Sequence, residues 1–187
     1  LVQSANCNQM FEAAFACWKL GCVWVPANFR QTPEEVAWLA MSSGAKGLLA
    51  GAEFAGHIAA CKDVAFTVTI SGAGEDDYDT LVAEFAEVPV AVAEVDRDDP
   101  AWFFFTSGTT GKPKAAVLTH GQLAFVITNH LCDLMPGTGP DDASIVVAPL
   151  SHGAGIHQLT QVAHGVKTIL PGGAKFDPAE VWRLVAK

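Results

Sequence analysis

Apolar residues in this chain fall into two kinds of pattern that alternate along its length. Short β-branched or aromatic runs occupy residues 22–25, 46–50, 64–70, 102–106, 144–148 and 166–170. Several are continuously apolar, which predicts strands buried on both faces. Between them lie stretches with helical spacing and clear start signals. Thr32-Pro33-Glu34-Glu35 offers a capping hydroxyl, a proline preset for the first helical position and a glutamate three residues on. Val36, Leu39 and Ala40 then give an apolar stripe, and Gly44 a stop. Asp177-Pro178-Ala179-Glu180 repeats the device, and Thr119-His120-Gly121-Gln122 is a third, weaker start. Strand–helix alternation of this kind predicts an α/β fold, a layered sheet with helices on both faces. Residues 71–79 and 136–142 read as loops, and residues 96–100 as a boundary within the chain.

Composition narrows the partners. Half of the 187 residues are hydrophobic, enough for a substantial core. A net charge of −9 argues against an extended surface for polyanions, so nucleic acid and anionic membranes are not expected partners. Ten of the twenty acids fall within residues 75–99, offset only by Arg97, and read as a solvated face. Five cysteines without a CxxC pair exclude a zinc spacing and a disulfide framework. Reduced, mostly buried thiols in a cytoplasmic protein fit that count. No metal-ligand cluster is expected, and no apolar run is long enough to span a bilayer. Leu1 is not an initiator methionine, and residues 181–187 read as helix interior, so the chain reads as beginning and ending in mid-fold.

The chemistry concentrates where the strand Trp102-Phe103-Phe104-Phe105 runs into Thr106-Ser107-Gly108-Thr109-Thr110-Gly111-Lys112-Pro113-Lys114. Four hydroxyl residues, two glycines and two lysines within nine positions suit a polyphosphate. Glycines let backbone N–H groups converge on an anion, hydroxyls donate further bonds, and lysine supplies charge. Each hydrogen bond to a charged group contributes roughly 1.5–3 kcal/mol. The segment fits neither GxxxxGK[ST] nor GxGxxG. Because Ala115-Ala116-Val117-Leu118 is strand-like, the loop is expected to join two strands.

TSGTTGKPK with Thr119-His120 five residues on resembles the signature loop of the adenylate-forming superfamily: acyl-CoA synthetases, peptide-synthetase adenylation domains and luciferases. Three further stretches are similar to that family: residues 19–28, residues 32–50 with Ser43-Gly44-Ala45-Lys46, and Pro149-Leu150-Ser151-His152-Gly153-Ala154-Gly155. The chain departs from the pattern at Ala115, where the family usually has glycine. The resemblance implies that residues 1–187 are part of the large N-terminal AMP-binding domain. It implies that Thr106, Ser107, Gly108, Thr109, Thr110, Gly111 and Lys114 embrace the ATP phosphates. His152 would sit between nucleotide and acyl pocket and admit the carboxylate; the plainer reading is a loop histidine bonded to nearby backbone.

The implied reaction uses ATP with Mg2+ to convert a carboxylic acid, with a leaning toward a fatty acid, to an acyl-adenylate, and coenzyme A then takes the acyl group. The alternatives are a peptide-synthetase adenylation domain and a non-catalytic nucleotide-binding module. A homodimer is left open. The family's magnesium glutamate, ribose aspartate, hinge and mobile C-terminal lobe are not found in these residues, so this segment alone is not expected to complete adenylation. Elsewhere, His120 reads as serving a helix start, and His57, His130, His157 and His164 as structural or exposed residues without partners nearby. Lys112 reads as solvent-facing. Trp18, Trp24, Trp38 and Phe103, Phe104 and Phe105 read as core, and no cysteine stands in a basic setting that would make it a nucleophile.

Overall fold

The computed structural model describes residues 1–106, 112–172 and 176–186. The chain divides into two compact units, Leu1–His120 and Gly121–Lys187.

The first unit is built on parallel strands β1 (Val2–Gln3), β2 (Gly47–Gly51) and β3 (Phe66–Ile70), in the order β1-β2-β3. Val2 pairs with Leu49, and Gly47 with Phe66. Strands β4 (Pro100–Thr106) and β5 (Lys114–Thr119) form an antiparallel pair. Residues 24–26 stitch the two sheets together. Trp24 N–H donates to Ala101 O (2.9 Å) and Phe103 N–H to Trp24 O (3.0 Å) on one side. Val2 N–H donates to Val25 O (2.9 Å) and Ala27 N–H to Val2 O (2.8 Å) on the other.

Residues 22–25 therefore do not form the expected strand; Trp24 makes a single bridge to Trp102, and Pro26, just beyond, a single bridge to Val2. The reason is local. Helix α1 (Asn8–Lys19) ends in a Schellman turn in which Gly21, at φ +67°, lets Cys22 N–H reach back to Cys17 O at 2.7 Å. That use of Cys22, and the missing N–H of Pro26, leave only a short stretch free to pair.

Helix α2 (Pro33–Ser43) forms as its sequence directs. Glu35 N–H donates to Thr32 Oγ1 (3.3 Å), Thr32 N–H donates to Glu35 Oε2 (2.8 Å), and Gly44 closes the helix at φ +66°. Val36, Leu39 and Ala40 then pack with Ala27, Leu48, Ala50 and Cys61 into one core cluster. A second packed group is aromatic. Trp24 and Trp102, both fully buried, meet edge to face at 4.5 Å between centroids, and Trp18 joins Trp24 at 6.1 Å. Such a pair adds about 1 kcal/mol to what burial alone contributes. Helix α3 (Ala55–Ala60) follows β2, and α4 (Tyr78–Phe85) is capped by Asp77.

The second unit holds α5 (His120–Asn129, whose first residue belongs to the first unit), the π-helical turn His130–Leu134, and a β6-α6-β7 crossover. Its strands Ala143–Ile145 and Lys167–Ile169 are parallel, and helix α6 spans Gly153–Ala163. Gln158 of α6 donates to Thr168 of β7. Helix α7 (Pro178–Val185) is capped by Asp177. Here Glu180 departs from the expected capping box. It accepts from Gly172 N–H (3.1 Å) and faces Arg183 (3.7 Å), because the approaching loop offers a donor that the cap would otherwise supply.

Two further expectations are corrected. Burial on both faces does not extend across the strands: β2 and the start of β4 are enclosed, whereas β5 is exposed over Lys114, Ala115, Ala116 and Val117, and β6 and β7 are open. Nor are the thiols mostly buried. All five cysteines are unpaired, but only Cys61 is buried, while Cys22 and Cys132 are exposed. The acidic stretch, by contrast, is a solvated surface as read, with Asp77 its one buried carboxylate. No helix among the described residues is long and apolar enough to cross a membrane.

Tyr78 ties α4 to α1 by donating its hydroxyl to Glu12 Oε2 at 2.7 Å. Burial first, and then that bond and the Glu12 charge, push the phenol well above its usual value. The folded state thus holds this proton more tightly than the unfolded chain. The stabilisation is complete below about pH 10 and fades as pH rises through the raised folded value. Tyr78→Phe should cost about 1 kcal/mol at pH 8. Urea unfolding at pH 8 and pH 11 should show the gap between variant and wild type narrowing at the higher pH.

Candidate functional site

Apolar pressure fixes the frame of the site before any polar residue acts. Ala101 and Trp102 are buried at the start of β4, and Phe105 near its end packs against the α2 core cluster. The ladder runs Phe104 opposite Ala116, Phe105 opposite Ala115, and Thr106 opposite Lys114. The two expected strands on either side of the segment are therefore present, and the register sets Thr106 opposite Lys114 at their ends. Thr106 Oγ1 donates across it to Lys114 O at 3.5 Å. Ser107, Gly108, Thr109, Thr110 and Gly111 lie outside the described residues. Ala115, the departure from the family pattern, is exposed on β5, so its methyl displaces nothing buried.

Lys112 is exposed, as expected, but its ammonium is not simply in solvent. Its Nζ stands 4.0 Å from the centroid of the Trp38 ring, on α2. The ion pair found among the described residues joins Arg183 to Glu180, so neither Lys112 nor Lys114 is neutralised by a described carboxylate. Positive charge at the exit of the loop is left available to an anion.

His152 belongs to the second unit, at the N-cap position of α6, and is exposed. Its N–H donates to Pro149 O (3.1 Å) and its carbonyl accepts from Gly155 N–H (2.9 Å). Buried Leu150 anchors the turn that presents it. The structure thus brings Thr106 and Lys114 together in the first unit and seats His152 at a helix start in the second.

Two features escaped the sequence reading. Trp38 gave no sign of a partner so far along the chain. His130 and His157, read as having no partners nearby, form a pair: His130 Nε2 lies 2.9 Å from His157 Nδ1, and His130 Nδ1 lies 2.9 Å from Val126 O. A carbonyl only accepts, so His130 Nδ1 carries hydrogen, and in the neutral pair His157 donates to His130 Nε2. Tertiary packing of α6 on the π-helical turn creates this contact, and no local spacing announces it. His57 and His164 likewise meet carbonyls, of Gln31 and Thr138, at 2.9 Å each. His120 does open α5, and its N–H donates to Asp99 O (3.1 Å). Burial pushes the Cys17 and Cys61 thiols up, which keeps them protonated at neutral pH and unsuited to nucleophilic attack. No group of three or more His, Cys, Asp or Glu that could hold a metal occurs among the described residues.

A family model described as AMP-binding enzyme matches residues 1–187. A feruloyl-CoA synthase of Amycolatopsis is 34% identical over 175 residues, covering 91% of this chain and 32% of that protein. A long-chain-fatty-acid–CoA ligase of Mycobacterium tuberculosis is 30% identical over 89% of this chain and 31% of its own length. An indoleacetate–CoA ligase of Aromatoleum aromaticum is 29% identical over 92% of this chain and 34% of its own length. The chain thus spans about a third of the curated relatives it matches. Among solved structures, the o-succinylbenzoate CoA synthetase of Bacillus subtilis in complex with its acyl-adenylate intermediate superposes with a TM-score of 0.75 at 26% identity, covering 99% of this chain and 45% of that one. The N-terminal domain of FACL13 from Mycobacterium tuberculosis gives a TM-score of 0.79 at 25% identity, over 98% of this chain and 46% of its own.

The His130–His157 pair makes a direct prediction. His157→Ala leaves the buried His130 Nε2 without its donor and should lower the unfolding free energy by about 1–2 kcal/mol. Long-range 15N–1H spectra of the wild type should show neutral His130 with its hydrogen on Nδ1. Finding it on Nε2 would overturn the assignment.

Proposed function

The chain belongs to the AMP-binding enzyme family, and on that footing we propose that the polypeptide carrying it activates a carboxylic acid with MgATP and passes the acyl group to coenzyme A. In the first step a carboxylate oxygen attacks the α-phosphorus, forming the acyl–phosphate bond as pyrophosphate leaves. In the second, the coenzyme A thiol attacks the acyl carbonyl, loses its proton and expels AMP. Magnesium enters with ATP as part of the substrate.

The observation that carries this reading is the TSGTTGKPK segment held between β4 and β5, with Thr106 and Lys114 in register at its two ends. Bringing a carboxylate against a triphosphate sets anion against anion, so the protein must neutralise charge and hold the reactants in line. In this reading Thr106, Ser107, Gly108, Thr109, Thr110 and Gly111 supply donors to the β- and γ-phosphates, and Lys114 supplies charge to the departing pyrophosphate. His152, at the start of α6, orients the entering carboxylate. The relatives named above are CoA ligases, which supports coenzyme A over a carrier protein as acceptor. Their names differ in the acid (feruloyl, indoleacetate and long-chain fatty acid), so fatty and aromatic carboxylates are both candidates here, with a fatty acid the class we favour. The five unpaired thiols support a reducing, cytoplasmic setting.

ATP–pyrophosphate exchange on the complete polypeptide, run against short, medium, long and aromatic carboxylic acids, tests the proposal. Carboxylate-dependent exchange is the expected result. Replacing Thr109 or Lys114 with Ala should lower it by about 10-fold to 10³-fold. ATP binding without exchange for any acid would instead identify a non-catalytic nucleotide-binding module.

A further inference from the structure

We propose that Trp38 is a positioning residue for the phosphate-binding segment, acting through a cation–π clasp on Lys112. The proposal rests on reading residues 106–114 as the loop that holds the ATP phosphates.

Lys112 Nζ lies 4.0 Å from the Trp38 ring centroid, well within the range in which an ammonium is attracted to an indole face. The platform is rigid. Helix α2 is fixed by a capping box at one end and a left-handed glycine at the other, and Val36, Leu39 and Ala40 anchor it in the core. Trp38 packs against the same cluster. Its indole Nε1 is enclosed without a hydrogen-bond partner, so packing rather than hydrogen bonding holds the ring. The tethered residue is also well placed. Lys112 stands two positions before Lys114, where pairing with Thr106 opens the β5 ladder. Pro113 between them has a fixed φ, so little slack separates the clasp from the ladder. The exit limb of the loop is thus pinned at one end by a helix from early in the chain and at the other by its own hairpin.

An aromatic partner differs from a carboxylate in one decisive respect. A carboxylate would hold Lys112 by cancelling its charge, whereas the indole holds it and leaves the charge intact. The clasp orders the limb while keeping positive potential beside a site meant for a polyanion. In a protein with a net charge of −9, each unneutralised cation near the loop counts.

The test uses the complete polypeptide and carboxylate-dependent ATP–pyrophosphate exchange. Exposed cation–π contacts contribute roughly two- to fivefold in an equilibrium. Trp38→Leu should raise KM for MgATP by about that factor with kcat within about twofold, Lys112→Met by at least as much because it also removes a charge, and the double variant should be no worse than Lys112→Met alone. Trp38→Phe and Lys112→Arg keep a ring and a cation and should stay near wild type. Additive losses, or equal losses in Trp38→Phe and Trp38→Leu, would overturn the clasp.

A second readout is independent of activity. Lys112→Met should shift tryptophan emission in the wild-type background and leave it unchanged in a Trp38→Phe background. No shift in either background also overturns the proposal, and a shift with unchanged KM removes the positioning role. If the wild type shows no carboxylate-dependent exchange, the adenylation reading fails and takes the positioning role with it, while the emission shift still decides whether the clasp exists.

Discussion

Four main-chain hydrogen bonds along residues 24–27 hold the first unit in one piece. Trp24 exchanges two with β4, and Val25 and Ala27 exchange two with Val2 of β1. Without them β4 and β5 would lose their main-chain link to the parallel sheet, and a two-stranded ribbon by itself is marginal in water. With them, the hairpin that carries residues 106–114 becomes an extension of the parallel sheet β1-β2-β3. The burial of Trp24 against Trp102 seals the same junction from the side-chain direction. The placement of Thr106 and Lys114 depends on that seam, because their positions are only as definite as the strand ends they occupy.

The same seam explains why the site can be polar at its tip. Main-chain pairing and aromatic burial act at the base of β4, at Ala101 and Trp102, so the far end is free to end in an exposed threonine. Charge is divided in a similar way. The acidic segment lies on a solvated surface, where its carboxylates cap turns: Asp77 accepts from Gly72 N–H, and Asp99 from Asp96 N–H, at 2.8 Å each. The two lysines at the exit of the loop have no described carboxylate partners. An acidic protein can therefore still hold a locally positive patch, because screened surface charges act over about a Debye length.

Several elements were legible from local signals alone, and each rests on atoms close in sequence. The capping box of α2, its left-handed stop at Gly44 and the proline-led start of α7 are all settled within a few residues. The strand–loop–strand setting of residues 106–114 was also legible, since apolar runs flank a polar, glycine-rich stretch. Where local reading failed, a distant group had intervened. Residues 22–25 were claimed partly by the end of α1, Glu180 was diverted by Gly172, and His130 found His157 only through packing of α6.

The sequence by itself determined the alternation of helix and strand, the helix ends, the glycine- and hydroxyl-rich make-up of residues 106–114 and the family to which the chain belongs. These follow from backbone propensities, capping geometry and a restrictive order of residues, which are properties of neighbours along the chain. Only the tertiary structure decided which strands are enclosed, that a two-bridge seam joins β4 to the parallel sheet, and that the exit lysine of the loop rests on an indole from α2. Those outcomes depend on which surfaces meet once the core has formed. Hydrophobic burial is non-directional, so the apolar pattern states that a face must be covered without stating by what.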